Sequence, residues 1–162
     1  MADNVVKDNE TGLIWQDSQT IVKKDFNDAE IYCKSLSLNG YTNWRLPNID
    51  ELLSIVDLNR KFPAIKKIFK NTKTGYYWSS SKYESSISKI WYIDFGYGNS
   101  SYRDKLDKIY VRCVVGKKMN YKSNDKKDLN KKPSKYNDPL KVLFVPENNI
   151  KSKDKNSSHW WD

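Results

Sequence analysis

Residues 40–57, GYTNWRLPNIDELLSIVD, predict a short strand that leads directly into a capped helix. Trp44 and Leu46 alternate with polar neighbours, as in a strand with one buried face. Asn48 is a favoured N-cap residue, and Glu51 stands three positions later, where a capping box needs it. The apolar residues that follow have the i, i+3, i+4, i+7 spacing of one helix face: Ile49, Leu52, Leu53 and Val56.

A first helix is predicted upstream, beginning at Asp25 and stopping at Asn39-Gly40. Its apolar stripe consists of Ala29, Tyr32, Cys33 and Leu36. Before it, residues 12–16 form one arm of a hairpin and residues 20–24 form a short extended piece. Both helices are short and amphipathic, so each must pack against a sheet.

Three aromatic and β-branched runs in the second half predict that sheet: residues 76–79, 90–95 and 109–114. Residues 96–100 (GYGNS) have hairpin chemistry and are predicted to join the last two runs. The fold class is α+β, with antiparallel sheets and two short flanking helices that cover one face.

Charge and composition divide the chain after Gly116. Residues 1–116 carry 17 Lys and Arg against 14 Asp and Glu (net +3), whereas residues 117–162 carry 12 against 6 (net +6). Residues 117–162 are rich in Lys and Asn and lack periodicity, which predicts a linker or tail. Its apolar segment, residues 139–146, is either a strand added to a sheet edge or a docking peptide.

No apolar run approaches the roughly 18 residues of a membrane span. The polar N-terminus is not a signal peptide, so the chain is either cytosolic or lacks a leader that has been removed. The two cysteines do not decide between these two locations. Cys33 lies on the buried stripe of the first helix and Cys113 in the last strand, and they form either a disulfide or two separate buried thiols.

Six blocks carry a family resemblance. They are TGLIWQD (11–17), AEIYCKSL (29–36), the opening stretch, YYWSSS (76–81), IWYIDFGYG (90–98) and YVRCV (110–114). In this order they resemble the Lcl C-terminal domain family, the carboxy-terminal domain of a bacterial collagen-like adhesin. The resemblance covers residues 3–116. It implies a C-type lectin-like fold, an N-terminal strand beside the C-terminal one, a Cys33–Cys113 disulfide, and an exported, cell-surface or periplasmic location.

Residues 58–83 are rich in lysine and contain no acidic residue, and Ile65, Ile68 and Phe69 indicate a short helical turn with outward lysines. Gathered positive charge favours anionic partners, although a solvated lysine-rich loop has the same composition. The family's founding member binds sulfated glycans, so the resemblance implies an anionic polysaccharide ligand. The predicted contacts are Arg60, Lys61, Lys66, Lys67, Lys70 and Lys73, with Tyr97, Asn99, Tyr102 and Arg103 in the glycine-rich loop.

The alternative function is recognition of a protein or host receptor, using the same fold and the tail. Neither a cofactor nor a metal is expected: the calcium-binding tripeptides of true lectins do not occur, and Asp94, Asp104 and Asp107 are too scattered to hold calcium. Catalysis is not expected, because the domain has no histidine and no distinguished nucleophile. Nucleic acid is disfavoured, since few aromatic residues interleave with the basic ones.

Two further residue types have structural interpretations. Arg45 is expected to form an ion pair with a carboxylate such as Asp50 or Asp94. Trp15, Trp78 and Trp91 are expected in the core rather than on a sugar platform.

Overall fold

The structure is a computed structural model and describes residues 4–119. The elements are β1 (Val5–Lys7), β2 (Ile14–Gln16), β3 (Lys23–Lys24), α1 (Phe26–Ser35), α2 (Ile49–Ser54), β4 (Tyr76–Lys82), β5 (Lys89–Asp94), β6 (Asn99–Asp104), β7 (Ile109–Tyr110) and β8 (Val114–Val115). The apolar segment at 139–146 and most of the predicted tail lie outside the described residues.

Two sheets organise the strands. A three-stranded sheet has the order β1-β2-β8, and a five-stranded sheet has the order β3-β7-β4-β5-β6. All neighbours are antiparallel except β4 and β7, which meet in parallel at Tyr77 and Tyr110. The predicted α+β class with antiparallel sheets is therefore confirmed. Pairing of Trp15 with Val114 also sets an N-terminal strand beside the C-terminal one.

The predicted hairpin partner was wrong. The turn at residues 96–100 joins β5 to β6, and the two strands pair from Lys89–Asp104 through Asp94–Asn99. Strand β6 reads NSSYRD, so it lacks the apolar alternation that marked the other strands. Such a polar sequence suits β6 because it is an edge strand of the larger sheet.

The run 109–114 is not one strand either. Ile109 and Tyr110 pair with β3 in the large sheet, whereas Val114 and Val115 pair with β2 in the small one. Between them Val111 N donates to Val22 O, and Cys113 O accepts from Gln16 N. The chain crosses from one sheet to the other here, and the buried Arg112 lies at the crossing.

The helices lie on opposite faces of the large sheet, which corrects the expectation that they share one. Successive strand residues point to opposite faces. Trp78 packs in a cluster with Phe26, Ala29 and Cys33 of α1, whereas its neighbour Tyr77 packs with Leu52 of α2. The core therefore has two halves, one under each helix.

Both helices begin where the sequence predicts, and α2 has the predicted capping box. The Asp25 side chain accepts from Asp28 N at the start of α1, and Asn48 and Glu51 form the complete capping box of α2. Helix α1 ends at Ser35, earlier than predicted, because Asn39 (φ 50°) and Gly40 (φ 81°) instead form a tight turn between Leu38 and Tyr41.

The disulfide implied by the resemblance is present. Cys33 and Cys113 are bonded at 2.08 Å, with their Cα atoms 5.5 Å apart, and both are fully buried. The bond ties α1 to the crossing between the two sheets.

Candidate ligand-binding surface

The structure distributes the predicted site residues over three places. Lys66, Lys67, Lys70 and Lys73 lie in residues 66–73, here called the lysine segment. Arg60 and Lys61 lie in residues 58–64, which bond to the β5–β6 turn beside Tyr97 and Asn99, and this region is here called the tip. Tyr102 and Arg103 lie on the edge strand β6.

Lys66 does not point outward as predicted. Its ammonium contacts Glu10 Oε2 at 2.6 Å and both Asp8 carboxylate oxygens at 3.3 Å. Burial lowers the pKa of Lys66, but the bonds to Glu10 and Asp8 outweigh burial and raise it above its ordinary value. Lys66 therefore fastens the start of the lysine segment to the β1–β2 turn.

The buried Asp17 fastens the middle of the segment. Its Oδ2 accepts from Lys70 N at 2.8 Å and its Oδ1 from Asn71 N at 3.1 Å. Arg112 donates to Asp17 Oδ1, to Asn71 O and to Thr72 Oγ1. The Asp17 and Arg112 side chains are each only 2% exposed. The backbone of the lysine segment is therefore held from inside the domain.

Tyr77 fastens the end of the segment. Its hydroxyl accepts from Lys73 N at 3.0 Å and donates to Lys73 O at 2.9 Å. Burial raises the pKa of this phenol above its ordinary value. The segment is thus bonded to the core at its start, middle and end. Within it a single turn, closed by Phe69 N and Lys66 O, stands where a helical turn was predicted.

The remaining lysines of the segment are exposed. Lys67, Lys70 and Lys73 form no ion pair within the described residues. Lys70 Nζ donates only to Lys67 O, at 2.9 Å. Three cations therefore project from a fixed backbone, and the acids that approach this backbone are already bonded to Lys66, Arg112 and main-chain amides.

The tip is more apolar than its basic sequence suggested. Phe62 N donates to Gly96 O and Ala64 N to Phe95 O, which joins the two loops. The rings of Phe62 and Tyr97 meet edge to face at 5.0 Å. Leu58, Phe62 and Tyr97 are 56%, 58% and 58% exposed, with Arg60 and Lys61 between Leu58 and Phe62 in the chain.

Tyr102 and Arg103 face opposite sides of the sheet, as neighbours in a strand must. Tyr102 stacks on Tyr83 at 3.9 Å, meets Trp91 edge to face, and has Lys89 Nζ 5.0 Å from its ring centre. The neighbouring Tyr83 hydroxyl raises the pKa of Tyr102. Trp91 is half-buried rather than in the core.

On the other face, Arg103 lies over two aromatic rings. Its guanidinium carbon is 5.3 Å from the ring centre of Tyr76 and 5.8 Å from that of Tyr92. Its Nε donates to Asp107 Oδ2 at 2.8 Å. These aromatic partners were not predicted, because they meet Arg103 only through the β4–β5–β6 pairing. The Tyr-Arg alternation in NSSYRD was the available signal.

Arg45 forms the expected structural ion pair, but with a different acid. Its two terminal nitrogens donate to the two oxygens of the fully buried Glu51, each at 2.8 Å. Glu51 also accepts from Asn48 N and Met119 N. The fold thus continues past Gly116, where the predicted domain ends, and returns to the start of α2.

No group of three or more His, Cys, Asp or Glu side chains that could hold a metal gathers within residues 4–119. Over the same residues, no helix has the length and apolar character needed to cross a membrane.

These features define a small α+β domain that is closed by a disulfide and carries basic and aromatic surface groups. The family described as the Lcl C-terminal domain matches residues 4–115, and the chain belongs to that family. No curated protein matches the chain at a significant level.

Proposed function

We propose that this protein is a non-catalytic, C-type lectin-like binding domain that recognises anionic polysaccharide outside the cell, and that the lysine segment is its principal contact. The observation that carries the proposal is the exposure of Lys67, Lys70 and Lys73 on a backbone bonded to Asp17 and Tyr77. Cations on an anchored backbone suit an anionic polymer, because the backbone does not have to become ordered when the polymer binds.

The pairing of nearby acids supports this assignment. Asp8 and Glu10 bind Lys66, and Asp17 binds Arg112. These carboxylates are bonded to Lys66 and Arg112 rather than to the exposed lysines. Within the described residues Lys67, Lys70 and Lys73 have no acid as a direct partner, and gathered positive charge attracts anions.

Two connections support the proposed C-type lectin-like fold and the proposed exported location. The β2–β8 pairing joins the ends of the domain, and the Cys33–Cys113 bond joins α1 to the last crossing, as expected of a C-type lectin-like domain. Disulfides persist in oxidising compartments. Both features support an exported, adhesion-type domain of the kind that the family resemblance implied.

Polysaccharide affinity chromatography tests the function. Lys67, Lys70 and Lys73 are changed together to Gln and compared with a control in which the exposed Lys34, Lys82 and Lys108 become Gln. Both variants lose three charges, so net charge cannot separate them. We expect retention on heparin and dextran sulfate to fall strongly only for the lysine-segment variant, and the signal to weaken as salt rises.

Equal retention of the two variants contradicts the assignment, because bulk charge would then explain binding. Lys66 is left unchanged in this design, since its bonds to Asp8 and Glu10 make it part of the fold. Unfolding midpoints of both variants should match that of the wild type, which excludes misfolding as the cause of lost retention.

The tip favours a second candidate, recognition of a protein. Leu58, Phe62 and Tyr97 are large, exposed and adjacent, and such patches are common at protein interfaces. Changing all three to Ser should abolish capture of a protein receptor and leave polysaccharide retention intact. Loss of polysaccharide retention in this variant would instead join the tip to the glycan surface.

A further inference from the structure

The geometry around Arg103 points to a second anion contact, with a different chemical preference from the lysine segment. We propose that Arg103 is a carboxylate-binding fork, and that Tyr76 beside it supports the sugar ring that bears the carboxylate. The ligand class is a uronic-acid polysaccharide. This inference rests on the proposed function and deepens it by naming the sugar.

Three contacts fix the plane of the guanidinium. Tyr76 and Tyr92, whose rings are 4.9 Å apart, lie beneath it, and Asp107 accepts from its Nε. Within the described residues, the two terminal nitrogens of Arg103 have no hydrogen-bond partner. The side chain is 30% exposed, so this pair of N–H groups is held in one orientation and can be reached from solvent.

A planar fork of this kind matches a carboxylate with two parallel hydrogen bonds. A lysine ammonium is a point charge and makes no such distinction. The arginine over the aromatic pair thus supplies a geometric preference that Lys67, Lys70 and Lys73 lack. On the same face Asp94 is the nearby acid of β5, and its Oδ1 is occupied by Gly96 N at 2.7 Å.

Tyr76 supplies the apolar part of the contact. It is 42% exposed, and aromatic surface of this kind packs on the C–H face of a sugar ring. Tyr76 follows Lys73 by three residues, so their Cα atoms are at most about 11 Å apart.

Two polymers separate carboxylate from sulfate in the test: polygalacturonate, which carries only carboxylates, and dextran sulfate, which carries only sulfates. The variants are Arg103→Lys, which keeps the charge and removes the fork, and Lys108→Gln, which removes a nearby exposed charge. Affinity is measured by biolayer interferometry on the full chain. We expect Arg103→Lys to weaken polygalacturonate binding by about tenfold and to leave dextran sulfate binding within about twofold, and Lys108→Gln to leave both polymers within about twofold.

A positioning test uses Asp107→Asn, which keeps Arg103 but loosens its plane. It should weaken polygalacturonate binding less than Arg103→Lys does, although it makes the protein more positive. Tighter binding after Asp107→Asn would show a purely electrostatic contact and overturn the proposal. Thermal unfolding of each variant identifies any loss that comes from misfolding, and a Tyr76→Phe variant, which keeps the ring, should retain binding.

The outcomes distinguish the two proposals. Unchanged polygalacturonate binding by Arg103→Lys overturns the proposal that the Arg103 guanidinium binds a carboxylate. Wild-type protein that binds dextran sulfate but not polygalacturonate also overturns the fork and leaves the lysine segment standing. Failure to bind either polymer overturns both proposals.

Discussion

Opening the Cys33–Cys113 bridge should destabilise the domain by about 4–5 kcal/mol. The two cysteines are 80 positions apart, so the bond restricts a long loop in the unfolded chain. The loop-entropy relation gives about 4.5 kcal/mol for a loop of that length at 25 °C. Most of the domain lies within this loop, from α1 to the last crossing between the sheets.

That loss is large compared with the total free energy of unfolding of a domain. Domains of ordinary size unfold with about 5–15 kcal/mol, so the bridge accounts for roughly 30% of the stability or more. For a domain of this size we expect the melting temperature to fall by about 15–20 °C on reduction.

Circular dichroism of urea and thermal unfolding measures the effect in three preparations. They are the oxidised protein, the reduced protein with its thiols left unmodified, and a double variant with Cys33→Ala and Cys113→Ala. The reduced protein keeps both buried sulfurs, so its difference from the oxidised form isolates the cross-link. Its difference from the double variant isolates the packing of the sulfur atoms, for which we expect about 1–2 kcal/mol.

Two results would contradict this prediction. One is titration of two thiols in the native protein, which would mean that the bond does not form. The other is an unchanged unfolding midpoint on reduction despite a confirmed bond, which would mean that the unfolded chain is already compact around this loop.

Three further predictions follow from buried contacts. Glu51→Gln should cost about 1–3 kcal/mol in urea unfolding, because it replaces a fully buried carboxylate that binds the partly exposed Arg45 and the main-chain amides of Asn48 and Met119; a loss under 1 kcal/mol would contradict this. Folding raises the pKa of Lys66 and of Tyr77, so the unfolded chain deprotonates at a lower pH than the folded domain does. Stability should therefore fall as the pH rises above the ordinary lysine and tyrosine pKa values, both near 10. Lys66→Met should flatten the pH dependence of the unfolding midpoint. Gly98→Ala should cost about 1–3 kcal/mol, since φ is +83° and an added Cβ would lie 2.7 Å from a Val56 methyl carbon; a wild-type melting temperature would show that the turn relaxes.

Local sequence patterns predicted the helices well, because their signals lie within a few residues. The capping box of Asn48 and Glu51 and the cap at Asp25 need only a span of three positions. The end of α1 was predicted late, at Asn39-Gly40, because that pair also suits a tight turn. Sequence alone could not tell a helix stop from a turn that follows the helix by three residues.

Long-range pairing was less predictable. Residues 109–114 form a continuous β-type run, yet the chain changes sheets at Arg112, and only the spatial position of Asp17 explains why an arginine is buried there. Strand β6 was missed for the opposite reason, since its polar sequence carries no core signal. Because β6 was missed, the aromatic partners of Arg103 were missed as well.

The predicted basic site illustrates how net charge and surface charge differ. Residues 58–83 contain no acid, which suggested that all their lysines were available. The fold brings Asp8 and Asp17 to this segment from more than 40 positions earlier, buries both, and uses them to bind Lys66 and backbone amides. Acids that are bonded in this way hold the segment in place and do not pair with its exposed lysines. A basic segment that is anchored by buried acids is therefore both rigid and positive, two properties that a solvated lysine-rich loop does not combine.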